Sequence, residues 1–267
     1  MRIRIAAHTD PGARRGNEDD MRWGQAARGH YAVLADGAGG HSRGAEAARR
    51  AVECMERLLC DDSMAFLPSN LSQMVRLAHA ELQARQTSER LESRMHTTLV
   101  ALWIDAATRH VLWTHVGDSR LYRIRQRRCE LLTEDDSVVQ QMVRSGVLSV
   151  EQSRSHPQKN HLLSALGIEG EIDPHTVPRP VELADGDVFL LCSDGWWDSF
   201  EPEDLAASLA RAAAPEDWLA AMGAQIQARA LPRQDNYSAI AVWAGDPGEV
   251  TIGGSEDTIP RAVFPRG

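Results

Sequence analysis

The chain has 267 residues, 43% apolar and 25% charged, with a formal charge of -9. That length buries a full core within one domain, and the acidic balance excludes a protein that must displace counterions from nucleic acid or an anionic membrane. No segment reaches the roughly 20 apolar residues of a membrane span, and "MRIRIAAHTD" meets a charge before a signal-peptide core can form, so a cytoplasmic monomer is expected.

In chain order, "YAVLA" (31–35) reads as a buried strand running into a glycine loop. A helix follows, with a stripe of Ala45, Ala48, Val52, Met55 and Leu59 and with Glu46/Arg50 and Glu53/Arg57 spaced as i,i+4 pairs on its other side. Leu71, Met74, Val75, Ala78 and Leu82 give a second helix. Three strands come next: "TTLVALWI" (97–104), "HVLWTHV" (110–116) and "RLYRI" (120–124), linked by "DAATR" and "GDS". Those links are too short for a crossover helix, so the three are expected to be antiparallel neighbours.

Residues 145–178 are rich in turn formers and read as a mobile insertion. "DVFLLC" (187–192) and "SAIAVW" (238–243) are further strands, and Pro202 and Pro215 suit the first turns of two helices between them. Residues 245–267, rich in Gly, Pro and charge, read as a flexible tail outside a domain of 1–244. The fold class is α+β: two central antiparallel sheets packed as a sandwich, with helices on both outer faces.

Lys159 is the only lysine, which excludes a P-loop and the strand lysine of protein kinases. The four cysteines are too few for a disulfide scaffold and read as reduced thiols. None has an arginine six residues later, so cysteine-phosphatase chemistry is excluded as well. What remains are acids at strand ends: Asp36 after the first strand, Asp118 in "VGDSR", Asp194 after "LLCS" and Asp235 before the last strand. An Asp-Gly pair is usually a turn, but Asp36-Gly37 and Asp194-Gly195 lead into helices rather than returning strands. Gathered carboxylates raise one another's pKa unless cations hold them, and an all-oxygen ligand set favours Mg²⁺ or Mn²⁺.

"RRGNEDD", "VLADGAGGH", "TTLVAL", "VGDSRLY", "LTEDDSVVQQMV", "LCSDGWWD" and "RQDNYSAI" follow one another in an order that resembles the PP2C-type metal-dependent Ser/Thr protein phosphatases (PPM), closest to the bacterial stand-alone form. The resemblance covers about residues 1–244. It implies hydrolysis of phosphoserine and phosphothreonine by hydroxide bridging two Mn²⁺ or Mg²⁺ ions, without a phospho-enzyme. By that resemblance Asp36 is shared by both ions, Gly37 lends a carbonyl to one, and Asp194 and Asp235 bind the other. Asp118 matches a ligand of a third, weaker ion, Glu18 and Asp19 orient waters, and Arg14 grips the phosphate.

Where animal members carry a histidine that protonates the leaving group, this chain has Ala38, which leaves His41 or a water as the acid. Asp136 stands where many relatives have His. The implied partners are phosphorylated proteins, a Ser/Thr kinase and its scaffold substrate, with type VI secretion as a possible setting. The rival readings are a catalytically weak binding or regulatory module of the same fold, and a two-metal nuclease, which the acidic charge disfavours.

Overall fold

The computed structural model describes residues 1–38, 42–86 and 95–247. His41 and residues 248–267 of the expected tail lie outside that set. Among the described residues the strands form two antiparallel sheets. One runs β1 (Ile3–Asp10), β12 (Tyr237–Ala244), β11 (Val188–Cys192), β7 (Arg120–Arg125), β8 (Arg128–Leu131). The other runs β10 (Val181–Glu182), β6 (His110–Val116), β5 (Leu99–Asp105), β3 (Gly29–Ala38), β2 (Asp19–Ala26), with β4 (His96–Thr97) beside β3 and β9 (His175–Thr176) beside β6.

Side chains on a strand alternate between faces, and here both faces are apolar. On β3, Ala32 and Leu34 point between the sheets, where they meet Val100, Leu102, Phe189, Leu191, Ile240 and Val242. Tyr31, Val33 and Ala35 point the other way, onto α1 (Ser42–Leu59) and α2 (Pro68–Ala84). The outer face of the other sheet packs on α3 (Asp194–Trp197), α4 (Pro202–Leu209) and α5 (Pro215–Ala228), burying Trp196, Trp218 and Trp243. Each large apolar side chain so buried contributes about 1.5–3 kcal/mol. Pro202 and Pro215 open their helices as expected, because the missing N–H has no partner in a first turn anyway.

Three expectations are corrected and one omission is filled. β5 and β6 pair as foreseen, but β6 and β7 belong to different sheets, so "GDS" is a crossing rather than a hairpin. Gly117 permits it, with φ +96, and a Cβ there would press on the Thr98 side chain. Residues 145–178 are not a loose insertion throughout: Ala165, Leu166 and Ile172 are buried, Leu166 bridges Thr97, and the segment ends by adding β9 to the sheet. Arg50 pairs with Glu46, but Glu53 takes Arg49, because Arg57 reaches across to Glu81 on α2. Finally, β1 and β2 are full strands that the apolar pattern did not announce.

Candidate metal centre

Topology brings the acids together. β3 and β6 both pair antiparallel with β5, so they run in the same direction and finish at the same end. Asp36 lies at the finish of β3 and Asp118 just past β6. In the other sheet β11 finishes where β12 starts, with Cys192 opposite Ala239, which places Asp194 beside Asp235. The crossing after β6 delivers the chain to the start of β7, opposite the finish of β11. All four acids therefore share one end of the sandwich.

There they line a cleft of about 690 Å³, whose walls also include Arg14, Glu18, Gly37, Asn160, Leu162 and Asn236. Asp19, opposite Asp36 in the β2–β3 register, lies directly beneath. Burial and then the neighbouring Asp19, Asp194, Asp118 and Asp235 hold the Asp36 carboxyl well above the usual carboxylate range. Asp194 is raised in the same sense, by burial and then by Asp118 and Asp235. Burial and the charge of Asp135 push Asp118 up to about 7, against the opposing pull of Arg120, and burial raises Asp19 to about 6. Such groups accept a proton or a cation, and they resist standing charged and alone.

Each carboxylate is fixed by its backbone. Asp36 donates its N–H to Thr98 Oγ1 (3.0 Å), and its carbonyl accepts from Thr97 Oγ1 and Thr98 N–H, both at 2.8 Å. Gly37 is glycine because the start of α1 presses on it: a Cβ would collide with the Gly44 carbonyl and lie 2.8 Å from Glu18 O. Trp197 Nε1 donates to the Asp118 carbonyl (2.9 Å) while Arg120 stacks on the Trp197 ring and forks onto Asp135 (2.9 and 2.7 Å). Ser193 ties the Asp194 segment to Asp19 Oδ2 (2.9 Å) and to Ser238 N–H (3.0 Å).

Arg14 is half-exposed at the rim and donates to Asp235 Oδ2 (2.7 Å). Sequence reasoning missed Asn236, which donates to Pro11 O and Gly16 O and accepts from Glu18 N–H, securing the loop that carries Arg14 and Glu18. The "QDN" spacing held that signal, since a buried amide beside a metal-type acid needs partners. Asn160 and Leu162 in the cleft wall were likewise unforeseen.

These residues fit hydrated divalent ions. Asp19 Oδ1 is buried with no hydrogen-bond partner, and the donor atoms of the acids that line the cleft are all oxygen. Among the described residues no three His, Cys, Asp or Glu side chains are gathered tightly enough to hold a metal unaided. Hard ions of the Mg²⁺ type complete such a loose oxygen set with water and substrate oxygens.

A family model for protein phosphatase 2C matches residues 7–234. Serine/threonine protein phosphatase PstP of Mycobacterium tuberculosis is 34% identical over 207 residues, which make up 78% of this chain and 39% of that protein. The chain thus spans well under half the length of that relative. The catalytic domain of PstP in complex with two manganese ions has a TM-score of 0.78 at 27% identity, covering 91% of this chain and 99% of that one. PppA, described as a key regulatory component of T6SS in Pseudomonas aeruginosa, has a TM-score of 0.71 at 26% identity, covering 91% of this chain and 98% of that one.

Proposed function

The chain belongs to the protein phosphatase 2C family, and on that footing we propose that it is a metal-dependent Ser/Thr protein phosphatase that opposes a Ser/Thr kinase. The observation that carries this reading is the set of buried acids at one end of the sandwich, raised above their ordinary range and lining one cleft. Asp36 and Gly37 would hold one Mn²⁺ or Mg²⁺ ion, Asp36, Asp194 and Asp235 a second, and Asp118 a third more weakly. Bound there, the ions reverse the field met by a phosphate dianion and lower the pKa of water enough for attack on phosphorus.

The chain's own side chains do the rest. Asp19 stands behind Asp36, tied to Ser193, and Glu18, whose N–H is held by Asn236, stands at the cleft wall. Arg14, paired with Asp235 in this structure and half-exposed at the rim, would turn to the phosphate oxygens of a bound substrate and make charge-assisted hydrogen bonds to them. Asn160 and Leu162 stand in the cleft wall, where they would meet the chain of a protein substrate. The likeness to PppA supports a T6SS setting, and the family resemblance points to a Ser/Thr kinase and its phosphorylated scaffold as partners. No described helix is long and apolar enough to cross a membrane.

The test is turnover of p-nitrophenyl phosphate and a phosphothreonine peptide with Mn²⁺ or with excess chelator, beside a plasmid-nicking control. Metal-dependent dephosphorylation that drops several orders of magnitude in Asp36→Asn and Asp235→Asn is expected. Full activity in chelator would defeat the metal reading; nicking without phosphatase activity would favour a nuclease. Intact metal binding without turnover would favour a binding module.

A further inference from the structure

Every polar group of Asp136 is committed to a neighbour. Its N–H donates to Gly117 O (3.0 Å), its carbonyl accepts from Leu163 N–H (2.7 Å), Oδ2 accepts from Gly117 N–H (3.0 Å), and Oδ1 lies 2.8 Å from His175 Nε2. One residue therefore joins three separate pieces of chain: the crossing that carries Asp118, the cleft-wall stretch ending at Leu163, and β9. His175 is itself placed by its register opposite His115 and by ring stacking at 4.9 Å. His115 is anchored in turn, with Nε2 against Glu134 O at 2.8 Å.

The crossing needs outside support. Gly117 is buried and holds φ +96, a conformation that no β-ladder stabilises, and both of its backbone polar groups are satisfied by Asp136 alone. Without that partner a buried N–H would be orphaned one residue from Asp118.

We propose that Asp136 and His175 form a latch that couples the order of the cleft-wall segment, through its return strand β9, to the position of the Asp118 crossing. Asp136 and His175 are positioning residues and touch no substrate. Only the consequence for catalysis rests on the reading of Asp118 as a cation ligand; the latch itself is a property of the metal-free chain.

The test is amide hydrogen exchange at Gly117 in chelator, without substrate, in wild type, Asp136→Ala, His175→Ala and His175→Gln. The Gly117 amide should exchange about three- to tenfold faster in His175→Ala, the range expected when one net hydrogen bond is lost, and faster still in Asp136→Ala, which also removes the acceptor of that N–H. It should return towards wild type in His175→Gln, whose amide can still donate to Asp136. His175 is 51% exposed, so His175→Ala leaves the core intact and serves as the deciding variant even if Asp136→Ala fails to fold. Wild-type exchange at Gly117 in His175→Ala, with loss of protection confined to residues 175–176, would overturn the latch. Because hydrogen exchange involves no turnover, that result is independent of whether the protein is a phosphatase. As a second readout, the Mn²⁺ concentration for half-activation should rise in His175→Ala and recover in His175→Gln; a rise in both would overturn the specific bond.

Discussion

Asp118→Asn should stabilise the metal-free protein at neutral pH while impairing its response to Mn²⁺. Asp118 is buried at the junction of the two sheets, and burial and Asp135 raise its carboxyl from an ordinary 3.8 to about 7. Between those values the folded chain keeps a proton that the unfolded chain has released, so stability falls as pH rises. The contribution is fully present below 3.8 and is lost as pH passes through about 7. At 1.36 kcal/mol per pH unit the whole interval corresponds to about 4 kcal/mol. Asn at this position is nearly isosteric and cannot ionise, and the Trp197 hydrogen bond is to the backbone carbonyl and survives. For a domain of this size about 4 kcal/mol shifts the unfolding midpoint by roughly 8–15 °C.

The assay is thermal unfolding in excess chelator from pH 4.5 to 8, read as the difference between variant and wild type, which cancels other titrating groups to first order. The difference should be small at pH 4.5 and grow to its full value by pH 8. The same variant should bind its tight pair of Mn²⁺ ions normally and lose activation at high Mn²⁺. A difference that stays flat with pH, or a variant less stable than wild type throughout, would refute the claim that the site stores uncompensated carboxylate charge.

Arg14→Ala should raise KM on a phosphopeptide about tenfold, the low end for a charge-assisted contact because the side chain is half-exposed, with kcat little changed; unchanged kcat/KM would remove Arg14 from the substrate. Gly37→Ala should cost about 1–3 kcal/mol in stability and sharply reduce Mn²⁺-dependent activity, since the new methyl must push α1 away from Glu18; wild-type unfolding and turnover would show that the close approach is dispensable. Asn160→Ala should lower kcat/KM for a phosphoprotein more than for p-nitrophenyl phosphate, because its place in the cleft wall favours contact with the substrate chain; equal losses would assign the segment a purely architectural role.

The buried strands and the two long helices were legible because apolar side chains recur with the period of the element and nothing interrupts them. β1 and β2 were not. "IRIAAHTD" and "DDMRWGQA" place Arg4, His8, Arg22 and a 43% exposed Trp23 among their apolar residues, as strands at sheet edges do, and that mixture hides the alternation. The partly packed character of 145–178 was hidden for a related reason. Its buried Ala165, Leu166 and Ile172 are spaced by no regular element, and the isolated bridges at Leu162 and Leu166 leave no periodic trace.

The acids themselves could be read one by one from their place at strand ends, but their convergence depended on a fact the residues conceal. A three-residue link is as compatible with a hairpin as with a passage between sheets, since length limits the distance and not the direction. As a hairpin, "GDS" would have kept β7 beside β6 and left Asp118 at an exposed tip, with no route for β11 and β12 to bring Asp194 and Asp235 to the same end. The passage is decided by tertiary groups far away in sequence: Thr98 Oγ1 against Ser119 Oγ at 2.7 Å, the Gly117 bonds to Asp136, and Arg120 forked onto Asp135. A cluster of buried carboxylates opposes folding, so the contacts that force the crossing are the ones that assemble the site. Residues such as Asp136, which carry none of the expected chemistry, are therefore as much a condition of that chemistry as Asp36.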